Sequence, residues 1–367
     1  MPKLLRISGL HGYNVQQAFL QAYPNAEDMD YVSLRDGFKG MKTLYSGSFD
    51  TGMRTLGWEV EEVFYDFDLL QGVWATENDI DSAERDHILM AQIQTLRPDA
   101  VFCENISWVP EPLLTHRKQA FPSVRVLAAQ QGFPMHYREL VHADVVFTCV
   151  PSIVNVFRSW GIKSHLVYYS FDPTIAEQLN DQDTKEHGFV FSGHSGYGFD
   201  WHHRTRYESL TKLLDMGILE AWLTERDRTL NPAIETPLRQ LYPELTHDPV
   251  YGLDMYRLLQ SSHVVLNSHT DAAWGYSGNM RLFEAAGIGA CQIVEQSINI
   301  AELYVPDEEV VTFSSVEECA EKVGYLLDNP AQAAEIGRRA AARTLKDHAN
   351  VDRCETMNVL LRKELGA

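Results

Sequence analysis

The sequence predicts an α/β protein made of two doubly wound parallel sheets covered by helices. Most of its candidate strands are continuous apolar runs, which is typical of strands buried on both faces of a parallel sheet. Helical stretches end at glycine and lead directly into the next strand, so the chain repeats strand–helix–strand units. The chain has 367 residues, and a domain usually contains about 100–200 residues. Two such domains are therefore expected.

The candidate strands form two sets along the chain. The first set comprises residues 3–8, 59–65, 99–103, 124–129, 144–149 and 164–169. The second set comprises residues 188–192, 263–267, 290–295 and 309–313. Gly57 and Gly161 stand between a helical stretch and a strand, where glycine accepts a left-handed backbone at little cost. From about Pro330 onwards, a region rich in Ala, Arg and Glu predicts a long helical run.

A polar, turn-rich segment from Tyr168 to Gly188 separates the two sets and predicts the linker between the domains. We therefore expect an N-terminal Rossmann-like domain over residues 1–170 and a C-terminal Rossmann-like domain over residues 171–345. Residues 346–367 are expected to form a helical tail. No internal repeat suggests a further boundary.

Composition and charge narrow the classes of function. Hydrophobic residues make up 45% and charged residues 22% of the chain, which is ordinary for a globular protein. The formal net charge of −20 repels nucleic acid and anionic lipid surfaces, so neither is an expected partner. Five widely spaced cysteines without a CxxC pair indicate a reducing compartment, with neither disulfides nor a zinc knuckle. Neither a membrane span nor a signal peptide is predicted, so we expect a soluble, cytoplasmic protein.

The first glycine-containing turn, SGLHGYN over residues 8–14, follows the first strand. Its spacing is not the GxGxxG of dinucleotide-binding domains, and no acidic residue ends the second strand in the expected register. A tight turn between strand and helix is one interpretation. The other is a substrate-side loop at the carboxyl edge of a sheet, where His11 reaches a substrate hydroxyl.

The second glycine-rich loop follows a strand that ends in Ser192 and Gly193, and it leads into a helix in which Arg204 or Arg206 adds positive charge. Backbone N–H groups, serine hydroxyls and an arginine in this arrangement suit an anion. The GK[ST] ending of a Walker loop is absent. His202 and the next histidine are adjacent and point in different directions, which argues against a metal pair. An ordinary solvated loop is the alternative.

The third candidate lies in residues 264–295, where a buried strand ends at Asn267 and a polar loop leads to a short helix that stops at Gly287. Arg281 and Glu284 are three residues apart on that helix and share one face. On a solvated face such a pair contributes little to stability. The apolar residues around it instead place the pair near a sheet edge, where a carboxylate suits two vicinal ribose hydroxyls and an arginine suits a diphosphate.

The segment LNSHTDAAWGYSGNMRLFEAAGIGACQIVE, with the chain that follows it, resembles the donor-binding half of GT-B glycosyltransferases. The nearest group is the CgeB-like (spore-protein-like) glycosyltransferases, with a family-1-type C-terminal donor domain. The resemblance is strong over about the last hundred residues. It implies two facing Rossmann-like domains with the active site in the cleft. It also implies a metal-independent glycosyltransferase that moves a sugar from a nucleotide-sugar to a glycan, protein or small-molecule acceptor, as in polysaccharide biosynthesis.

The resemblance also implies roles on the donor side. Glu284 matches the carboxylate that binds the nucleotide ribose, and Arg281 matches the arginine that precedes it. Related retaining enzymes carry a further glutamate near the sugar, where this chain has Tyr276, so a retaining mechanism is not implied. The expected donor-binding residues are Ser192, Gly193, His194, Arg204, Tyr276, Ser277, Gly278, Asn279, Arg281 and Glu284. The nucleotide-sugar is a substrate, and neither a cofactor nor a metal ion is expected.

The acceptor is expected on the N-terminal domain, where His11, Gln131 and His136 are the candidate catalytic residues. His136 follows a buried strand, which is a suitable place for a general base. For each of the three, the alternative interpretation is a satisfied polar loop residue.

Other functions are compatible with this architecture. A nucleotide-sugar 2-epimerase would bind the same donor, and a non-catalytic nucleotide-sugar binding or scaffold protein would keep the same carboxylate. A dehydrogenase is disfavoured by the glycine spacing. The sequence leaves open the sugar, the base, the acceptor, the stereochemistry and the oligomeric state.

Overall fold

The computed structural model describes residues 1–10, 15–43, 48–179, 184–197, 201–225 and 236–366. The chain divides into two compact units. Unit 1 contains Met1–Tyr168 together with Asn350–Ala367, and unit 2 contains Tyr169–Ala349. Each unit is built around one six-stranded parallel sheet, so the predicted α/β class with two doubly wound parallel sheets is confirmed.

Unit 1 alternates strands and helices along the chain. Its strands are β1 Lys3–Ser8, β2 Glu59–Phe64, β3 Ala100–Cys103, β4 Val126–Gln130, β5 Val145–Thr148 and β6 Ser164–Leu166. Its first nine helices are α1 Val15–Ala22, α2 Tyr31–Gly40, α3 Ser48–Thr55, α4 Asp68–Glu77, α5 Arg85–Leu96, α6 Glu111–Thr115, α7 Arg117–Ala120, α8 Tyr137–Leu140 and α9 Pro151–Ser159. The strand order is β2-β1-β3-β4-β5-β6, so the direction of winding changes beside β1.

Charged side chains inside unit 1 connect its central strands. Arg6 on β1 is fully buried, donates to Glu104 at 2.9 Å and lies 3.1 Å from Glu62 on β2. Glu62 also accepts from Ser8 Oγ at 2.7 Å and pairs with Lys39 at 2.9 Å. Burial raises the pKa of Glu62, and the two cations oppose that shift. Removing one partner of such a group leaves a buried charge uncompensated, which typically costs about 3–5 kcal/mol.

Unit 2 has the same alternation. Its strands are β7 His187–His194, β8 Glu220–Thr224, β9 Thr246–His247, β10 Ser262–Asn267, β11 Gln292–Glu295 and β12 Val311–Phe313. Its helices are α10 Pro173–Gln178, α11 Arg204–Asp215, α12 Leu238–Leu241, α13 Gly252–Gln260, α14 Met280–Gly287, α15 Ile300–Leu303, α16 Val316–Asp328 and α17 Pro330–Asp347. The strand order is β12-β11-β10-β7-β8-β9. The winding therefore reverses between β7 and β10, which is where open α/β sheets bind ligands.

Helices cover both faces of the unit 2 sheet. Phe191 and Leu266 belong to one apolar cluster with α11, α16 and α17. Val190 and Val265 belong to a second cluster with α13 and α14. Successive side chains of a strand point to opposite faces. Burial on both faces explains why these strands are continuous apolar runs in the sequence.

Two strands, β8 and β9, lie outside the predicted set. β8 has the sequence EAWLT, in which Glu220 and Trp222 are only partly buried, so it lacks a continuous apolar run. β9 has two residues, which is too short for any period to be recognised. Gly57 and Gly161 have φ values of +83° and +79°, which confirms the left-handed backbone predicted between helix and strand.

The last helix, α18 Asn350–Leu365, belongs to unit 1. Met357 and Leu361 are buried in the same apolar cluster as Trp58. Within residues 346–367, α17 therefore extends to Asp347, and α18 then covers the unit 1 core.

All five cysteines lie among the described residues, where they are buried and form no disulfide with one another. Burial raises the pKa of Cys291 and of Cys319 to about 12, so these thiols stay protonated near neutral pH. None of the helices in the described part of the chain is long and apolar enough to cross a membrane.

The packing of α18 on unit 1 predicts the effect of truncating one of its core side chains. Leu361 is fully buried, so Leu361→Ala is expected to lower the free energy of unfolding by about 2–5 kcal/mol. Val359 on the same helix is 65% exposed, and Val359→Ala is expected to change the free energy of unfolding by less than about 0.5 kcal/mol. Urea unfolding followed by tryptophan fluorescence measures both. Equal effects of the two substitutions would contradict this packing.

Candidate functional site

Several polar residues gather where β7 and β10 end, at the point where the winding of the unit 2 sheet reverses. β7 ends with Ser192, Gly193 and His194, and β10 ends with Asn267. Ser192 and Asn267 are buried. Because alternate residues of a strand share a face, both lie on the face that α13 and α14 cover.

A pair of side-chain amides fixes the start of α14 to the end of β10. Asn279 Nδ2 donates to Asn267 Oδ1 at 2.7 Å, and Asn267 Nδ2 lies 3.3 Å from Asn279 Oδ1. Asn279 precedes the helix in an extended conformation, and its side chain makes no capping hydrogen bond. The first N–H groups of α14, at the positive end of the helix dipole, are therefore not capped by this side chain.

Arg281 and Glu284 form an ion pair on the buried side of α14. Arg281 Nη1 donates to Glu284 Oε2 at 2.9 Å, and the two side chains are 17% and 9% exposed. Arg281 Nη2 lies 3.3 Å from the carbonyl oxygen of Ser192, and Nη1 also contacts the sulfur of Met255. Arg281 Nε is buried and has no hydrogen-bond partner among the described residues. The guanidinium is thus held between α14 and the end of β7.

The other oxygen of the Glu284 carboxylate faces α13. Tyr256 Oη donates to Glu284 Oε1 at 3.3 Å. Burial and the Glu284 charge raise the pKa of Tyr256 well above its usual value, so this phenol stays protonated as a donor. Each carboxylate oxygen can accept about two hydrogen bonds. Glu284 therefore keeps acceptor capacity on both oxygens.

Hydrogen bonds hold the loop that precedes α14. Ser277 N donates to Asn299 Oδ1 at 2.7 Å, and Asn299 Nδ2 donates to the Ser277 carbonyl at 2.9 Å. Ser277 Oγ lies 2.7 Å from His269 Nε2 and 2.6 Å from Ser297 Oγ. Gly275 has φ +80°, a left-handed conformation that glycine adopts at little cost. The backbone amides of this loop are consequently fixed before any ligand arrives.

Glu295, the last residue of β11, fixes the beginning of the same loop. Its two oxygens accept from Ser268 Oγ at 2.8 Å and from His269 N at 3.0 Å. Burial raises the pKa of Glu295. Burial and the nearby Arg206 lower the pKa of His269 to about 4, so its imidazole is neutral at neutral pH. Burial also lowers the pKa of Arg206 to about 10, which leaves it charged there.

The structure brings most of the predicted donor-side residues to this edge of unit 2. They are Ser192, Gly193, His194, Tyr276, Ser277, Gly278, Asn279, Arg281 and Glu284. Arg204 is not among them, because its guanidinium is exposed and pairs with Glu208 one turn along α11 at 2.8 Å. The arginine of α11 that reaches the strand ends is Arg206, which is buried and donates to the Ser268 carbonyl at 2.8 Å.

Two of the three predicted acceptor-side residues are described in unit 1. Gln131 directly follows β4, is buried, and donates its backbone N–H to the Phe147 carbonyl at 2.9 Å. His136 has a left-handed backbone with φ +60°, and its Nδ1 lies 3.9 Å from a Glu139 carboxylate oxygen. The His136 side chain is 30% exposed, so its ring is accessible to a substrate. His11 lies outside the described residues.

Sequence reasoning missed four polar residues of the unit 2 edge, namely Tyr256, His269, Glu295 and Asn299. Glu295 ends a buried strand and His269 follows one, and polar residues at the carboxyl ends of parallel strands are a usable signal for a site. Tyr256 stands among the apolar residues of an amphipathic helix and is typical of a core position. Asn299 acts only on the loop backbone, which no local pattern reveals.

The chemistry of this edge comes from an arginine, a carboxylate and a helix N-terminus. Within the ranges that the structure describes, no group of three or more His, Cys, Asp or Glu side chains could hold a metal ion. The guanidinium and the start of α14 suit an anionic group. The Glu284 carboxylate suits a pair of hydroxyls. The arrangement can therefore bind one molecule that carries both a phosphate and a vicinal diol.

Comparisons with known proteins agree with this chemistry at a coarse level. Residues 222–358 match a family model described as glycosyl transferase-like. No curated protein matches the chain significantly in sequence.

Solved structures share the fold over nearly the whole chain. Anabaena Alr3699/HepE in complex with UDP-glucose is 15% identical, with a TM-score of 0.57 over 99% of this chain and 100% of its own. AviGT4, a glycosyltransferase involved in avilamycin A biosynthesis, is 16% identical, with a TM-score of 0.56 over 100% of this chain and 99% of its own. A Listeria monocytogenes protein named provisionally as a UDP-N-acetylglucosamine 2-epimerase is 14% identical, with a TM-score of 0.50 over 99% of this chain and 96% of its own. The chain therefore has the GT-B fold and a glycosyltransferase-like domain.

The buried His269 predicts a specific dependence of stability on pH. Its pKa is about 4 in the folded protein and 6.5 for a histidine exposed to water, so the unfolded chain takes up this proton first as the pH falls. The stability that neutral His269 provides is complete above pH 6.5 and is lost as the pH falls towards 4. His269→Gln should remove this loss, which is on the order of 2–3 kcal/mol.

Urea unfolding of the wild type and of His269→Gln at pH 7, 5.5 and 4 measures this dependence. The difference in the free energy of unfolding between the two proteins should shift steadily in favour of the variant as the pH falls. A difference that stays constant over the three pH values would show that His269 is not held neutral by the fold.

Proposed function

We propose that the protein is a glycosyltransferase that moves a sugar from a nucleotide-sugar donor to a hydroxyl acceptor, with the donor bound by unit 2. The observation that carries this proposal is the buried Arg281–Glu284 pair at the carboxyl ends of β7 and β10. The glycosyl transferase-like match and the GT-B fold support it. The structure of HepE contains UDP-glucose, which makes UDP-glucose the first donor to test.

Each part of the unit 2 site then has a role towards the donor. Glu284 accepts hydrogen bonds from the two ribose hydroxyls, and the Arg281 guanidinium provides positive charge beside the diphosphate. The N-terminus of α14 adds partial positive charge, as helix N-termini do in many phosphate sites. The backbone at Ser192 and Gly193 borders the diphosphate. The loop from Tyr276 to Asn279 contacts the sugar. The amides of Gly278 and Asn279 are its donors, because the N–H groups of Tyr276 and Ser277 already donate to Ala273 and Asn299.

In the transfer step one bond breaks and another forms, negative charge develops on the leaving group, and the acceptor hydroxyl loses a proton. The bond between the sugar carbon and the diphosphate oxygen breaks, and the same carbon bonds to the acceptor oxygen. Negative charge develops on the diphosphate, where fixed donors such as Arg281 and backbone amides stabilise it. We propose His136 in unit 1 as the base that takes the acceptor proton. His11 and Gln131 are proposed to contact the acceptor.

Two finer assignments rest on sequence resemblance. One is membership of the CgeB-like group. The other is the absence of a metal requirement, which is proposed because arginine and amide groups provide the positive charge that a divalent ion would otherwise supply. Tyr276 stands where related retaining enzymes have a glutamate, so the stereochemical outcome is not part of the proposal.

Removing the carboxylate should abolish tight nucleotide binding. Glu284→Ala deletes two charge-assisted hydrogen bonds, each worth about 1.5–3 kcal/mol, so the Kd for the preferred nucleotide should rise about 100-fold or more. Calorimetric titration of UDP, GDP, ADP, CMP and dTDP into the wild type and the variant measures this. Glu208→Ala, which removes an exposed carboxylate of α11, is the matched control and should bind like the wild type. Failure of all five nucleotides to bind, or equal binding by Glu284→Ala, would overturn the proposal.

The products separate a transferase from an epimerase. With UDP-glucose and water or a hydroxyl acceptor, a transferase releases one UDP for each sugar transferred, and it should do so at an unchanged rate in EDTA. Chromatography of the nucleotides, with mass spectrometry of the sugar product, measures both. An isomerised UDP-sugar without release of UDP, from UDP-glucose or UDP-N-acetylglucosamine, would favour the epimerase instead. Loss of activity in EDTA would refute metal independence alone.

A further inference from the structure

The Glu284 carboxylate is held at both of its oxygens by side chains from two different helices. Arg281 on α14 donates to Oε2 at 2.9 Å, and Tyr256 on α13 donates to Oε1 at 3.3 Å. The terminal torsion of a glutamate is broad and roughly two-fold, so an unrestrained carboxylate rotates freely. Two donors on opposite oxygens set the plane of the carboxylate. The acceptor positions that remain, one on each oxygen, then point in fixed directions.

Tyr256 is itself held in place. It is 5% exposed and packs edge-on against Phe171, with ring centroids 6.4 Å apart. Its neighbour Met255 contacts Arg281, so α13 supports both partners of the ion pair. At 3.3 Å the bond from the phenol to Glu284 is long, and we expect it to shorten when a ligand orders the site.

A carboxylate with one open acceptor position on each oxygen matches a vicinal diol. In a nucleotide that diol is the 2′- and 3′-hydroxyl pair of ribose, and a 2′-deoxyribose presents only one of the two groups. A fixed carboxylate therefore distinguishes the two sugars, because the unused oxygen is left without its hydrogen bond in the deoxy complex. A carboxylate that rotates can turn one oxygen towards a single hydroxyl and loses this discrimination.

We propose that Tyr256 is a positioning residue that orients the Glu284 carboxylate and thereby sets a preference for ribonucleotides over 2′-deoxyribonucleotides. The inference rests on the proposed donor site and adds a specificity determinant to it. Tyr256 does not contact the nucleotide itself and acts only through its hydrogen bond to Glu284.

The test compares UDP with 2′-deoxy-UDP on the same protein samples. Tyr256→Phe keeps the buried ring and removes only the hydroxyl. We expect its Kd for UDP to rise about 5–10-fold and its Kd for 2′-deoxy-UDP to change less than about 2-fold, so that the ratio of the two constants falls. Because both constants come from one sample, a reduced folded fraction cancels in the ratio. A merely structural role of Tyr256 would move both constants equally and overturn the inference.

Two further variants make the assignment specific. In a Glu284→Ala background, Tyr256→Phe should have no additional effect on UDP binding, since the group that it orients is gone. Tyr242→Phe removes a different hydrogen bond from a tyrosine to a carboxylate, the 2.6 Å bond to Asp215, and should leave the ratio unchanged. An additional loss of UDP affinity in the double variant would overturn the inference.

The outcomes separate the two proposals. If Glu284→Ala no longer binds UDP while Tyr256→Phe keeps the wild-type ratio of the two Kd values, the positioning role fails and the donor site stands. If Glu284→Ala binds UDP like the wild type, the donor site itself fails.

Discussion

The buried pair of Arg281 and Glu284 is the constraint on which the rest of the unit 2 site depends. Taking two charges out of water costs more than a typical buried pair returns, so such a pair is a poor device for stability. This pair stands where α14 meets the end of β7, and it is joined there to the Ser192 carbonyl and to Tyr256. The proposed binding role accounts for this cost, because the same two groups meet the opposite chemical needs of a diphosphate and a diol.

The surroundings of the pair are held by side-chain hydrogen bonds, and such support is what a selective site requires. The amide pair of Asn267 and Asn279 fixes where α14 begins, and Asn299 holds the loop before it through both backbone groups of Ser277. Parallel strands place these segments at one edge, since the carboxyl ends of β7, β10 and β11 all lie there. The doubly wound sheet thus determines where the site lies, and the polar network determines its shape.

Much of the fold could be predicted from the sequence, because burial on both sheet faces leaves a local signal in each strand. The place of α18 could not, since it depends on contacts such as the 2.8 Å hydrogen bond from Trp58 to Asn358, 300 residues apart. The ion pair on α14 could be predicted, because its two residues are three apart on one helix. The role of Tyr256 could not be predicted, because its contact with Glu284 joins two helices. The sequence does not distinguish Arg204 from Arg206, because residues two apart on a helix point in nearly opposite directions and no local pattern shows which side faces the sheet. In the structure Arg206 is the buried one.

A crystal structure of the protein with UDP bound would show directly which side chains hold the nucleotide. Both ribose hydroxyls are expected within hydrogen-bonding distance of the Glu284 carboxylate. The diphosphate is expected beside the Arg281 guanidinium and the first turn of α14. UDP bound in unit 1, or in unit 2 with its ribose away from Glu284, would contradict the assignment of this edge as the donor site.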